Sequence, residues 1–187
     1  MGERPGGPDD VVAQLFDGAY RRLVVQLHGV CGDLTEAEEV VQEAFVRAVA
    51  RGRRFAELEN PEAWLRTVAV NQARSRHRRR RRGEVLHLVR ERQADRPGDR
   101  SGASDAHVTL VAALRQLPAA QREAIALHHL ADLPVTEVAR TLGVPVGTVK
   151  ARLSRGRTAL AALIGDEAPV DAARATPTVR ATRREDA

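Results

Sequence analysis

Wherever apolar residues are dense in this chain they recur in steps of three and four, the spacing of one face of an α-helix. Val11, Val12, Leu15, Phe16, Leu23, Val24 and Leu27 make the first such face, with Asp10 as its cap and Gly29, Gly32 and Asp33 as its end. A second face follows at once. Ala37, Val40, Val41, Ala44, Phe45, Ala48 and Val49 alternate in steps of three and one, behind Thr35 and Glu38 at the spacing of a capping box. Arg51–Glu59 reads as a polar connection holding Phe55. Asn60-Pro61 restarts a helix, with Asn as cap and Pro in the first turn, where its missing N–H costs nothing. This third helix runs through Trp64, Leu65, Val68 and Ala69 into a run of arginines.

From Gly83 to Asp105 the periodicity fades into Gly, Asp, Arg and Ser, which predicts an exposed linker with room for a short helix around Val85–Arg92. A second helical block spans Ala106–Ile164, with Leu117-Pro118 at a helix boundary. Inside it, Val135–Leu160 reads as a helix-turn-helix. Ala139, Gly143 and Val149 suit a tight crossing, a turn residue able to take positive φ, and an apolar anchor in the second helix. Lys150, Arg152, Arg155 and Arg157 then lie outside Val149, Leu153 and Leu160, a cationic surface over an apolar underside that suits a DNA groove. Gly165–Ala187 is rich in Ala, Pro and charge and predicts a disordered tail. The expected architecture is all-α: two small helical domains, 11–82 and 106–164, on a flexible linker, 83–105, with an unstructured start, 1–10, and tail, 165–187.

Composition changes this picture little. Aromatics are scarce, at 3%, so the cores must rest on Leu, Val and Ala. A net charge of +5 favours a polyanionic partner. A single cysteine, Cys31, excludes an internal disulfide framework and a cysteine-based zinc site. No run approaches the ~18 apolar residues of a membrane span, and the first residues carry no signal-like apolar stretch, so a cytoplasmic protein without membrane insertion is expected. The six histidines show no paired metal spacing, and neither a phosphate loop nor a nucleophile elbow occurs. The expectation is a non-enzyme with no cofactor and no metal.

Three further surfaces carry chemistry. Thr67, Asn71, Arg74 and Arg78 recur at steps of four, three and four on the third helix, where Asn can pair with a base edge and arginines can hold phosphates. Phe55 and Trp64 bracket the loop entering that helix; they are either rings for an unstacked base or plain core residues. Seven arginines lie within nine positions at Arg74, Arg76 and Arg78–Arg82, and their self-repulsion calls for solvent or a polyanion. Glu36, Glu38, Glu39, Gln42 and Glu43 make an acidic face that DNA would repel, and which suits water or a basic protein surface.

These blocks, in this order, resemble the group 4 (extracytoplasmic function, ECF) RNA polymerase sigma factors of the sigma-70 family. Asp33–Phe45 is similar to the core-binding helix of region 2, Pro61–Asn71 to the helix facing the −10 promoter element, and Leu117-Pro118 with Val135–Leu160 to region 4, which reads −35. The resemblance implies that Glu39, Gln42 and Glu43 dock on the basic β′ coiled coil of core polymerase. It implies that Asn71 contacts the −10 element, with Phe55 helping to form a flipped-base pocket. It assigns Thr148, Lys150, Arg152, Ser154 and Arg155 to the −35 recognition segment, and it seats region 4 on the β flap. Ala151 and Glu39 depart from common family choices, and the arginine run has no family role to transfer. Many relatives are held inactive by an anti-sigma factor, so the implied partners are core RNA polymerase, promoter DNA and, where one exists, an anti-sigma factor. Two other readings stay open on the residues. One is a stand-alone helix-turn-helix operator-binding regulator, and the other is a protein-interaction adaptor with a basic surface.

Overall fold

The computed structural model describes residues 7–86 and 105–165, and within them every regular element is a helix. Helices α1 (Pro8–Cys31), α2 (Leu34–Arg51), α3 (Arg53–Ala56) and α4 (Pro61–Leu86) form a first unit. Helices α5 (Asp105–Arg115), α6 (Ala119–Ile125), α7 (Val135–Leu142) and α8 (Val146–Gly165) form a second, with α6 running on through a π-helical turn, Ala126–Leu130. The predicted linker, 83–105, starts later than expected, because α4 runs on through Gly83 to Leu86, and Asp105 already belongs to α5; the rest of it, with the remainder of the short helix expected around Val85–Arg92, and nearly all of the predicted tail lie outside the described residues.

The first unit is held by apolar side chains on α1, α2 and α4. Leu23, Leu27, Val40, Val41, Leu65 and Val70 are fully buried there, each worth about 1.5–3 kcal/mol of transfer free energy. In the second unit Leu114, Leu127, Val138 and Val149 play the same part. Helices α6 and α8 approach so closely that a Cβ on Gly156 would stand 2.9 Å from Ile125 Cγ1.

Three expected boundaries move. Gly7 caps α1, and Asp10 sits a turn inside, its carboxylate accepting from Gly7 N–H at 3.0 Å. Asp33, not Thr35, caps α2: it is extended, and its Oδ1 accepts from Glu36 N–H at 2.7 Å. Gly29 lies within α1 instead of ending it, because the helix runs on to Cys31 and stops at Gly32, whose φ of +79° is the left-handed stop. The stripes are also less buried than their spacing suggests. Phe16 and Val49 are exposed and, with Val46 beside the stripe, line an apolar groove between α1 and α2.

The two units pack on one another. The C-terminal half of α1 lies against the π-helical turn, α4 lies against α7, and the buried residues of both units are continuous.

Candidate functional site

The helix-turn-helix is built as its spacing predicts. Gly143 closes α7 with φ +65° and ψ +40°, a conformation costly for any side chain with a Cβ, and its N–H bonds back to Arg140 O. Pro145 precedes α8, and Val149 and Leu153 hold its underside in the core. Lys150, Ser154, Arg155 and Arg157 are exposed on the outer side, and Thr148 is half-buried at the start of the helix. Arg152 behaves differently. It is half-buried, its Nη1 has no exposure to solvent, and its charge faces the buried carboxylate of Glu123.

Helix α4 begins as expected, with Asn60 Oδ1 accepting from Ala63 N–H at 2.9 Å. Its polar stripe is divided by the fold. Thr67 is half-buried and its hydroxyl donates to Ala63 O at 2.8 Å, while Asn71 and Arg78 are exposed. Arg74 turns towards the second unit. Its Nη1 donates to Leu142 O at 2.8 Å, and its Nε lies 3.6 Å from Glu123 Oε2.

The loop aromatics separate into two roles. Phe55 has no exposed surface and meets Trp64 edge-on, with ring centroids 5.4 Å apart at 67°. A ring with no exposed face cannot stack on a base, so Phe55 supports the loop from beneath. Trp64 is half-buried, and the Arg51 guanidinium stands 5.4 Å from its ring centroid in a cation–π contact. Beside it, Ala50, Arg51, Arg53 and Arg54 line a basic cleft of about 420 Å³.

The acidic face of α2 meets arginines of its own chain. Glu39 pairs with Arg76, and Glu36 receives both carboxylate contacts from Arg80 Nη2, at 2.6 and 2.7 Å. Glu43 accepts from Gln72, lies 3.0 Å from Arg47 Nη2 and 3.5 Å from Arg76 Nη2. Gln42 is exposed, and its amide donates to the Tyr20 hydroxyl at 3.3 Å. The arginine run therefore has an internal answer that local pattern did not reveal. Gln72, Arg76 and Arg80, at steps of four, face α2, while Arg74 faces Glu123. Gln42 also borders the groove of about 690 Å³ that Phe16, Val46 and Val49 line, of which the helical spacing had assigned Phe16 and Val49 to the core face.

Burial governs the remaining titratable groups. Glu123 is pushed above the ordinary carboxylate value by burial, against the opposing pull of Arg74, Arg152, Arg122 and Arg78. Cys31 is pushed up to about 12, chiefly by burial, and stays a thiol. Among the described residues no group of His, Cys, Asp and Glu is arranged to hold a metal ion, and no helix is long and apolar enough to cross a membrane.

Two stretches match family models: residues 15–83 the sigma-70 region 2 model, and residues 107–160 the sigma-70 region 4 model. The ECF RNA polymerase sigma factor SigW of Bacillus subtilis is 30% identical over 167 residues, covering 82% of this chain and 89% of that protein. The ECF sigma factor EcfG of Rhodopseudomonas palustris is 32% identical over 165 residues, covering 83% of each. Among solved structures, the sigma factor RpoE of Bartonella quintana, crystallised with the anti-sigma factor NepR, superposes with a TM-score of 0.67 at 28% identity. That match covers 83% of this chain and 98% of RpoE. With both conserved-region models matched in order and relatives similar along most of their length, this chain belongs to the ECF RNA polymerase sigma factors.

Proposed function

We propose that this sigma factor directs promoter-specific initiation by reading −35 with α8 and −10 with α4, while α2 holds core polymerase. The observation that supports the reading is that two separate helices of one chain present exposed polar and cationic side chains. Lys150, Ser154 and Arg155 are exposed on α8, and Asn71 and Arg78 are exposed on α4. A stand-alone operator-binding regulator would need only the first of these.

In this reading Lys150, Arg152, Ser154 and Arg155, with Thr148 at the helix start, meet the −35 duplex. Asn71 meets a base of the −10 element, Thr67 shapes its helix face, and Arg74 and Arg78 take phosphates. Trp64 is the ring available to the separated strand, and Phe55 holds the loop beneath it. Glu39, Gln42 and Glu43 engage a basic surface of core enzyme, which must displace Arg76, and the adjoining groove offers apolar contact beside Gln42. The bond-making chemistry belongs to the polymerase, and this chain works in the compartment where the polymerase and the chromosome are.

Run-off transcription with purified core polymerase, on the chain's own upstream region and a promoter library, tests the proposal. Specific transcripts are expected only when the chain is added. Sequence-specific duplex binding without any transcript would favour the operator-binding reading. Asn71→Ala should cost about 1–3 kcal/mol of discrimination at one −10 position, seen as equalised transcription from promoters differing only there.

A further inference from the structure

The order of side chains around α8 decides what each can meet in a DNA groove. Successive residues turn by about 100°, so Val149, Leu153 and Gly156, all buried, mark one side of the helix. Ala151 and Ser154, both exposed, lie on the opposite side. Lys150 and Arg157 flank them along one edge and Arg155 along the other, all three exposed. Arg152 lies towards the inner side, half-buried, with its Nη1 closed to solvent. Thr158 shares the outer side a turn further on, and its hydroxyl donates to Ser154 O at 3.2 Å. The part of α8 that would reach deepest into a groove is therefore short and uncharged, and the cations stand where the phosphate walls would be.

Ala151 brings a methyl group to this deepest part. A methyl can neither donate nor accept, so a polar base edge pressed against it loses its water and gains no partner. In the major groove the base pairs present one methyl, at C5 of thymine, among donors and acceptors. We propose that Ala151 is a specificity-determining residue of −35 recognition, its methyl packing on the C5-methyl of one thymine in the element. The inference rests on the assignment of α8 to −35 reading, and it names a base that the element must contain. Ser154, whose hydroxyl can donate or accept, suits more than one base and fixes none by itself. Val146, 38% exposed in the first turn, is apolar too, but it lies about 140° around the helix from Ala151, on the edge that Lys150 occupies.

The test uses holoenzyme assembled from purified core polymerase and the full chain. Wild-type holoenzyme first selects promoter duplexes from a library with a randomised −35 block. Each thymine of the selected element is then replaced singly by deoxyuridine, which removes the C5-methyl and keeps the base pairing, and holoenzyme affinity is measured for every duplex. One thymine should show a loss of about fourfold, the weight of one buried methyl. That loss should vanish in Ala151→Gly and in Ala151→Gln, and persist in Val146→Ala. Only the thymine-to-uracil ratio within each protein is compared, so a general change in affinity cancels. Glycine lowers helix propensity and glutamine hardly does, so Ala151→Gln decides should Ala151→Gly lose its helical circular dichroism. A selected element without a methyl-sensitive thymine, or one whose sensitivity persists in either folded Ala151 variant, would overturn the inference. A holoenzyme that selects no −35 sequence at all would refute the assignment of α8 itself.

Discussion

Replacing Phe55 by Leu separates a supporting ring from one that touches DNA. Phe55 is fully buried and meets Trp64 edge-on at 5.4 Å. The substitution loses that ring contact, worth about 0.5–1.5 kcal/mol, and changes the shape of a packed site at a cost of up to about 1.5 kcal/mol. The sum, about 0.5–3 kcal/mol, should lower the melting temperature by several degrees, up to about 12 °C. Circular dichroism melts give that shift. Affinity for a −10 non-template oligonucleotide is then measured in holoenzyme, well below both transitions, where the loop is folded in either protein. It should change little. A ring stacked on a base would instead cost about 1–3 kcal/mol of binding, roughly a 5- to 150-fold loss. An unchanged melting temperature combined with a fivefold or greater loss of strand affinity would refute the supporting role.

Charge reversal by Glu39→Lys with Glu43→Lys should abolish measurable core binding in a pull-down with purified polymerase. The exposed Glu39–Arg76 pair contributes at most about 1 kcal/mol, so the double variant should stay folded; retained core affinity would remove the docking role from this face. Burial, then the nearby His107 charge, lowers the pKa of His28 below its ordinary value, with Arg115 adding to the shift and Asp33 opposing it. The unfolded chain therefore takes up a proton first as pH falls through about 6.5, so stability present above that pH is lost below it. His28→Gln should flatten the fall in melting temperature between about pH 7.5 and 5.5, and an unaltered slope would exclude His28 as its source. At Gly143 an added Cβ meets nothing within 4 Å, so Gly143→Ala tests backbone strain alone and should cost about 1–2 kcal/mol in thermal unfolding, with Gly143→Asn less damaging.

The features legible in the sequence are those that local rules determine. The Asn60-Pro61 start of α4, the turn at Gly143 and the buried Val149 and Leu153 follow from capping, positive φ and helical spacing. The rest depended on neighbours. Asp33 and Thr35 are both acceptable caps, and the left-handed Gly32 just before decides between them. Gly29 looks like a helix stop and is a point of close approach, which only Leu130, 101 residues along the chain, explains. Val49 and Phe16 keep the helical period but sit where the apolar arc is wider than the partner helix covering it. The pairs Glu39–Arg76 and Glu36–Arg80 join residues far apart in the chain, so the arginine run looked unanswered when read locally.

The way α4 divides its charges explains how a strongly basic helix can pack between two units of its own chain. Arg76 meets carboxylates near solvent, where a pair contributes little and a competing basic surface can exchange for the arginine, whereas Arg80 reaches the buried carboxylate of Glu36. Arg74 and Glu123 are less exposed, at 25% and 11%, and there the balance differs. Burial alone would drive Glu123 to take a proton, and the surrounding arginines oppose that shift. A pair of this kind adds little net stability, because desolvation offsets most of the attraction, yet losing one partner leaves the other poorly placed. Its contribution is therefore to register. Helix-end caps and one partly buried pair fix the register of the two units, whose buried apolar residues form one continuous core.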